Sequence, residues 1–134
     1  VLLRTEDEVK NVLEYLSGFI CTAKFGLVSF TEISSETVKA VCAILFDETT
    51  INSFRFERKD QDSFDFAYWI DKARIWKLEW ASFTMIPRNN GTARFLLQLA
   101  DFVKKLTFSF DDSVNVSLSL VRDLLSRKVK NLVI

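Results

Sequence analysis

A chain of 134 residues has room for one domain with its own core, and 49% hydrophobic content with 13 Phe supplies that core, which excludes a disordered or collagen-like polymer. Its 18 basic and 18 acidic residues cancel to a formal charge of zero, so no long-range field gathers nucleic acid or draws the chain onto an anionic membrane. With no His and 3 Gly, His-based triads, zinc sites and glycine-rich phosphate loops are excluded as well.

The first predicted element is a helix. Thr5-Glu6-Asp7-Glu8 has the capping-box arrangement, after which Val9, Val12, Leu13 and Leu16 recur at helical spacing. A pattern of apolar residue, two of any kind, apolar, one of any kind, apolar then returns five times, over 25–30, 51–56, 75–80, 103–108 and 129–134. Its starts lie 26, 24, 28 and 26 residues apart, the range of leucine-rich-repeat-like units. Helical segments fill the gaps. The second follows Ser34-Ser35 with Val38, Val41, Cys42 and Leu45 on one face, and the third follows Asp62-Ser63 with Phe66, Trp69 and Ile70. The fourth follows the turn at Asn89-Asn90-Gly91-Thr92 with Leu96, Leu99 and Ala100, and the fifth follows Asn115 with Leu118, Val121 and Leu125.

A strand, a crossover helix and a second strand in one sheet make parallel, right-handed neighbours. The strand segments alternate: Val28 and Phe30 with Ser29 and Thr31, Phe54 and Phe56 with Arg55 and Glu57, Leu78 and Trp80 with Lys77 and Glu79, and Leu106, Phe108 and Phe110 with Lys105, Thr107 and Ser109. One sheet face is therefore wet, unlike the doubly covered strands of a doubly wound fold. The expected fold is α/β, a right-handed leucine-rich-repeat-like solenoid of about five parallel strands in sequential order with the helices on one face. The domain is single and spans 1–134; since the chain does not begin with Met, it is expected to be a piece of a longer protein.

In the register of the repeated pattern, Phe54, Phe56, Leu78, Trp80, Leu106 and Phe108 face the core. The wet face then carries the rows Leu27, Ser53, Lys77, Lys105, Asn131 and Ser29, Arg55, Glu79, Thr107, Val133. The concave sheet of a solenoid is its usual contact surface, so the candidate protein-binding residues are Arg55, Glu57, Lys77, Glu79, Lys105 and Thr107. Trp76 falls where the other units have Gly26, Asn52, Lys104 and Lys130, a near-solvent position for either an interface anchor or a ring folded over the sheet edge.

No catalytic, cofactor-binding or metal-binding residues are assigned. Asp60-Gln61-Asp62-Ser63-Phe64-Asp65 alternates acids as a cation loop does but lacks the turn Gly and distal Glu. It reads as a loop in which Asp62 or Ser63 caps the third helix and Asp65 complements its dipole; Asp111-Asp112 has the same role before the fifth. Cys21 and Cys42 lack CxxC spacing and read as free thiols of a reducing compartment, the cytosol or nucleus. No stretch has the length of a membrane span or the core of a signal peptide, so the sequons at Asn90 and Asn115 read as a turn and a helix cap.

The run from Val38 to Leu45, leading to Thr50-Ile51-Asn-Ser-Phe54-Arg-Phe56, and the Trp69-Ile-Asp-Lys-Ala73-Arg74 segment opening the next unit resemble the FTH-type domain found downstream of the F-box in nematode proteins. The tail is similar too, with Phe102, Val103-Lys-Lys-Leu106 and Leu120-Val-Arg-Asp-Leu-Leu125. The chain departs from the family's glutamine-tryptophan-lysine signature with Ala two residues later, having Tyr68-Trp69-Ile70 and its Ala, Ala73, three residues later. The resemblance implies a substrate-recognition module that holds a target protein, while an F-box outside these residues holds the ubiquitin-ligase scaffold. The alternatives are a leucine-rich-repeat segment of another adaptor or sensor, and an enzyme with carboxylates at the strand ends.

Overall fold

A computed structural model describes residues 2–16, 24–46, 49–58, 64–111 and 116–134. In chain order the elements are β1 Leu2–Leu3, α1 Glu6–Leu16, β2 Lys24–Ile33, α2 Ser35–Leu45, β3 Thr50–Arg58, α3 Phe66–Trp76, β4 Trp80–Ile86, α4 Thr92–Ala100, β5 Lys105–Phe110, α5 Leu118–Leu125 and β6 Asn131–Val133. The strands form one sheet in the order β1-β2-β3-β4-β5-β6, every neighbouring pair parallel. Five parallel strands in sequential order were expected, and the sixth is β1, which pairs Leu2 with Ser29. Two residues are too few to show alternation, so no periodicity marks this strand.

Alternate strand residues build the core. Val28, Phe30, Phe54, Phe56, Ala81, Phe83, Leu106 and Phe108 are all buried. The rings of Trp69 and Trp76 from α3 lie 5.4 and 5.0 Å from that of Phe54, and Phe95 of α4 meets Phe83 at 5.4 Å. Helices adjacent in sequence also touch: α1 with α2, α3 with α4, α4 with α5.

The fourth unit departs from the expected register by three residues. Trp80 lies opposite Ser53, Ala81 opposite Phe54 and Phe83 opposite Phe56, so the repeated pattern is Leu78, Ala81, Phe83 and begins at 78. Residues 66–76 are helix, which ends at Lys77 in the left-handed region (φ 56°, ψ 49°) with its N–H donating to the Ala73 and Arg74 carbonyls. Two expectations exchange places as a result. Trp76 is fully buried and donates its indole N–H to the Phe46 carbonyl at 2.7 Å, whereas Trp80, expected in the core, is half-buried. Phe54, Phe56, Leu78, Leu106 and Phe108 are buried as expected.

Two strand residues, Glu32 and Met85, have left-handed backbone (φ 56° and 61°) where the pairing slips, between Thr31 and Ile33 and between Phe83 and Ile86. Each slip is a local bulge. The largely buried Arg58 of β3 donates a hydrogen bond to the Met85 carbonyl and so ties the second bulge to the neighbouring strand.

Helix starts follow short polar caps. Thr5 accepts from the Glu8 N–H at 3.1 Å and Ser34 from Thr37 at 3.3 Å, as the cap signals imply. The third and fifth caps differ from expectation. Asp65, rather than Asp62 or Ser63, accepts from the Tyr68 N–H at 3.1 Å, and Ser117, rather than Asn115, accepts from Leu120 at 3.3 Å. Asp60, Asp62, Ser63, Asp112 and Asn115 lie outside the described residues.

Asp65 also pairs with Lys39 of α2 at 3.0 Å. The Tyr68 amide first, and Lys39 second, hold its carboxyl below the usual 3.8. Because the folded pKa is the lower one, the carboxylate's contribution is complete above the unfolded value and disappears as pH falls through the folded one. Asp65→Ala is expected to cost about 1 kcal/mol at neutral pH, a cap's usual worth. The gap between variant and parent should narrow in strong acid, since protonation removes the charge while leaving an oxygen that can still accept the Tyr68 N–H. Urea denaturation at pH 7 and in strong acid checks both, and a gap unchanged by acid would show that the charge of Asp65 contributes nothing.

Candidate functional site

The sheet face that alternates with the core is polar and partly exposed. Its first row runs Leu27, Ser53, Trp80, Lys105, Asn131 and its second Ser29, Arg55, Ser82, Thr107, Val133. Ser29, Ser53 and Ser82 are buried although they point away from the core, since small side chains lie low between larger neighbours. The larger groups are Arg55, Trp80, Lys105 and Thr107, with Glu57 one step along in the third row beside Thr31 and Thr84.

Two local arrangements fix these groups. Arg55 and Glu57, two residues apart on one strand face, form an ion pair while keeping 46% and 30% of their side chains exposed. Trp80 is held from the neighbouring strand: its indole N–H donates to the Thr107 hydroxyl at 3.4 Å, and the Lys105 ammonium lies 4.7 Å from its ring centroid. Such a cation over an indole face is worth about 0.5–1 kcal/mol at exposed sites. A half-buried aromatic already held by the strand beside it loses less freedom when a partner covers it.

Of the six candidate residues, the structure brings Arg55, Glu57, Lys105 and Thr107 together on this face. Lys77 and Glu79 are not on it. Lys77 is the C-cap of α3, and Glu79 lies in the turn before β4, its N–H bonded to the Asn52 carbonyl at 2.9 Å. The three-residue slip replaces them with Trp80 and Ser82. The signal for that exchange is in the spacing, because starts at 25, 51, 78, 103 and 129 lie 26, 27, 25 and 26 residues apart, more even than the pattern first suggests.

Among the described residues no group of three or more His, Cys, Asp or Glu converges to hold a metal, and no helix is long and apolar enough to cross a membrane. Cys42 is fully buried, and burial pushes its thiol up to about 12, out of the nucleophilic range. Cys21 lies outside the described residues.

Compared with known protein families, with curated proteins and with solved structures, the chain matches none.

Proposed function

We propose that this chain is a protein-binding module without chemistry of its own, whose contact surface is the polar sheet face centred on Arg55 and Trp80. Its fold is then a single-layer, leucine-rich-repeat-like solenoid with all helices on the covered side. Sequential parallel order, near-constant unit length and contacts between successive helices support that reading. The resemblance to FTH-type domains adds a role: the substrate-recognition part of an F-box ubiquitin-ligase component in the cytosol or nucleus, with the ligase scaffold held elsewhere in the protein.

The observation that carries the binding reading is the pinned Trp80, because Trp and Arg dominate binding hot spots and here they occupy adjacent rows of adjacent strands. The experiment immobilises the chain, identifies a retained protein from native extract and measures its affinity for the purified domain. Arg55→Ala and Trp80→Ala are each expected to weaken binding by about 30-fold, the equivalent of a hot-spot loss near 2 kcal/mol. Thermal melting should show both variants folded. Full affinity in both, with loss on changing residues 87–91, would move recognition to the loops.

A further inference from the structure

The turns that lead from helix into strand stack on one another. The Glu79 N–H donates to the Asn52 carbonyl at 2.9 Å, that of Lys104 to Glu79 at 2.8 Å, and that of Lys130 to Lys104 at 2.8 Å. Sheet pairing thus extends beyond the strand starts, and positions 52, 79, 104 and 130 form a row with steps of about 4.8 Å. Along this row stand Lys104, Lys130 and, at the end of α3, Lys77, with Glu79 as the row's one acid, while Arg127 is matched by Asp101 at 2.7 Å.

Between two of these turns opens a cleft of about 360 Å³ lined by Arg74, Lys77, Leu78, Glu79, Phe102 and Lys104. Leu78 is buried and gives the cleft an apolar lining, and the Arg74 guanidinium lies 5.8 Å from the centroid of the Phe102 ring. Its one carboxylate, Glu79, takes the Lys104 ammonium at 3.3 Å in an exposed pair, which leaves the lining with an excess of two positive charges. Cations near helix C-termini also offset the helix dipole. That role needs neither a cleft nor an aromatic wall.

We propose that this cleft is a docking site for an acidic peptide segment, one carboxylate side chain entering between Arg74, Lys77 and Lys104 and its neighbours running toward Lys130. Charge complementarity selects an anion, and the size of the patch selects a peptide. From the turn of Lys77 to that of Lys130 are two strand spacings, about 10 Å, the length of about three extended residues. A protein that grips nucleic acid by about 6–10 phosphate contacts needs a longer basic track than this. The site lies at the strand-start rim, apart from the contact face around Arg55, and does not depend on it.

The test is fluorescence anisotropy of the full chain with a fluorescein-labelled Glu- and Asp-rich decapeptide in about 0.1 M salt, where exposed charges more than about 10 Å apart are largely screened. Saturable binding is expected, weakened about tenfold or more by Lys77→Gln/Lys104→Gln and tightened by Glu79→Gln, which removes the competing carboxylate. Arg55→Ala should leave it unchanged. Lys104→Gln alone lies outside any helix cap and reads the site should the Lys77 change loosen the end of α3. The proposal is overturned if the parent chain does not bind at this salt, if Lys104→Gln keeps full affinity, or if a single-stranded oligonucleotide of equal charge binds more tightly than the peptide.

Discussion

Phe54→Ala is expected to destabilise the fold by about 3–5 kcal/mol, the range for emptying a large aromatic site in a packed core. Phe54 is fully buried, and its ring centroid lies 6.0 Å from Phe30, 5.9 Å from Phe83, 5.4 Å from Trp69 and 5.0 Å from Trp76. These neighbours belong to β2, β4 and α3, and each is held by its own backbone pairing. Collapse onto the vacancy would require strands to shift, so most of the cavity persists. With about 5–15 kcal/mol holding a typical domain, the loss is a large share of the total. Urea denaturation should show a lower midpoint with an unchanged slope. A cost under about 1 kcal/mol would mean that Phe54 is not at the junction of the two layers.

The second large effect is expected at Trp76. Its indole N–H bonds the carbonyl of Phe46, the residue that ends α2, at 2.7 Å in a site closed to water. Trp76→Phe removes volume and leaves that carbonyl unsatisfied, the latter alone costing about 1–3 kcal/mol. Trp69 is the control. It is as deeply buried, yet its indole nitrogen has no acceptor among the described residues. Trp69→Phe therefore loses comparable volume and no bond, and Trp76→Phe should cost more by about the value of an orphaned carbonyl. Equal costs would show that the bond contributes nothing. Had Trp76 been an exposed interface anchor, its truncation to Phe would leave the denaturation midpoint almost unmoved.

The difference between those two expectations for Trp76 shows where sequence reasoning ran out. Strand order, parallel pairing and the register of Phe25 with Ile51 follow from a pattern whose apolar positions are large and whose intervening positions are polar. In the fourth unit the middle core position is Ala81, which is fully buried but too small to mark a strand. Ile75, Leu78 and Trp80 fit the same spacing by crossing a helix end, a turn and a strand start. What stops the helix is Lys77 in the left-handed region, a conformation that Gly or Asn would have announced and Lys does not. The site inherited the error locally. Arg55, Glu57, Lys105 and Thr107 lie on strands whose register was legible, while Lys77 and Glu79 depended on the one that was not.

Each strand of this sheet after β1 pairs with the strand that precedes it in the chain, so each finds its first partner already made. On a ribosome, β2 emerges to find β1 already outside, and every further unit adds to an edge that already exists. Loop closure is then the same short step each time, since Val28, Phe54, Ala81, Leu106 and Leu132 follow one another by 26, 27, 25 and 26 residues. A parallel sheet with interleaved strand order must hold early strands unpaired until the last are synthesised, exposing edges that invite aggregation. This topology lets assembly keep pace with translation, so that beyond the starting edge at β1 and β2 a single growing edge needs protection at any moment.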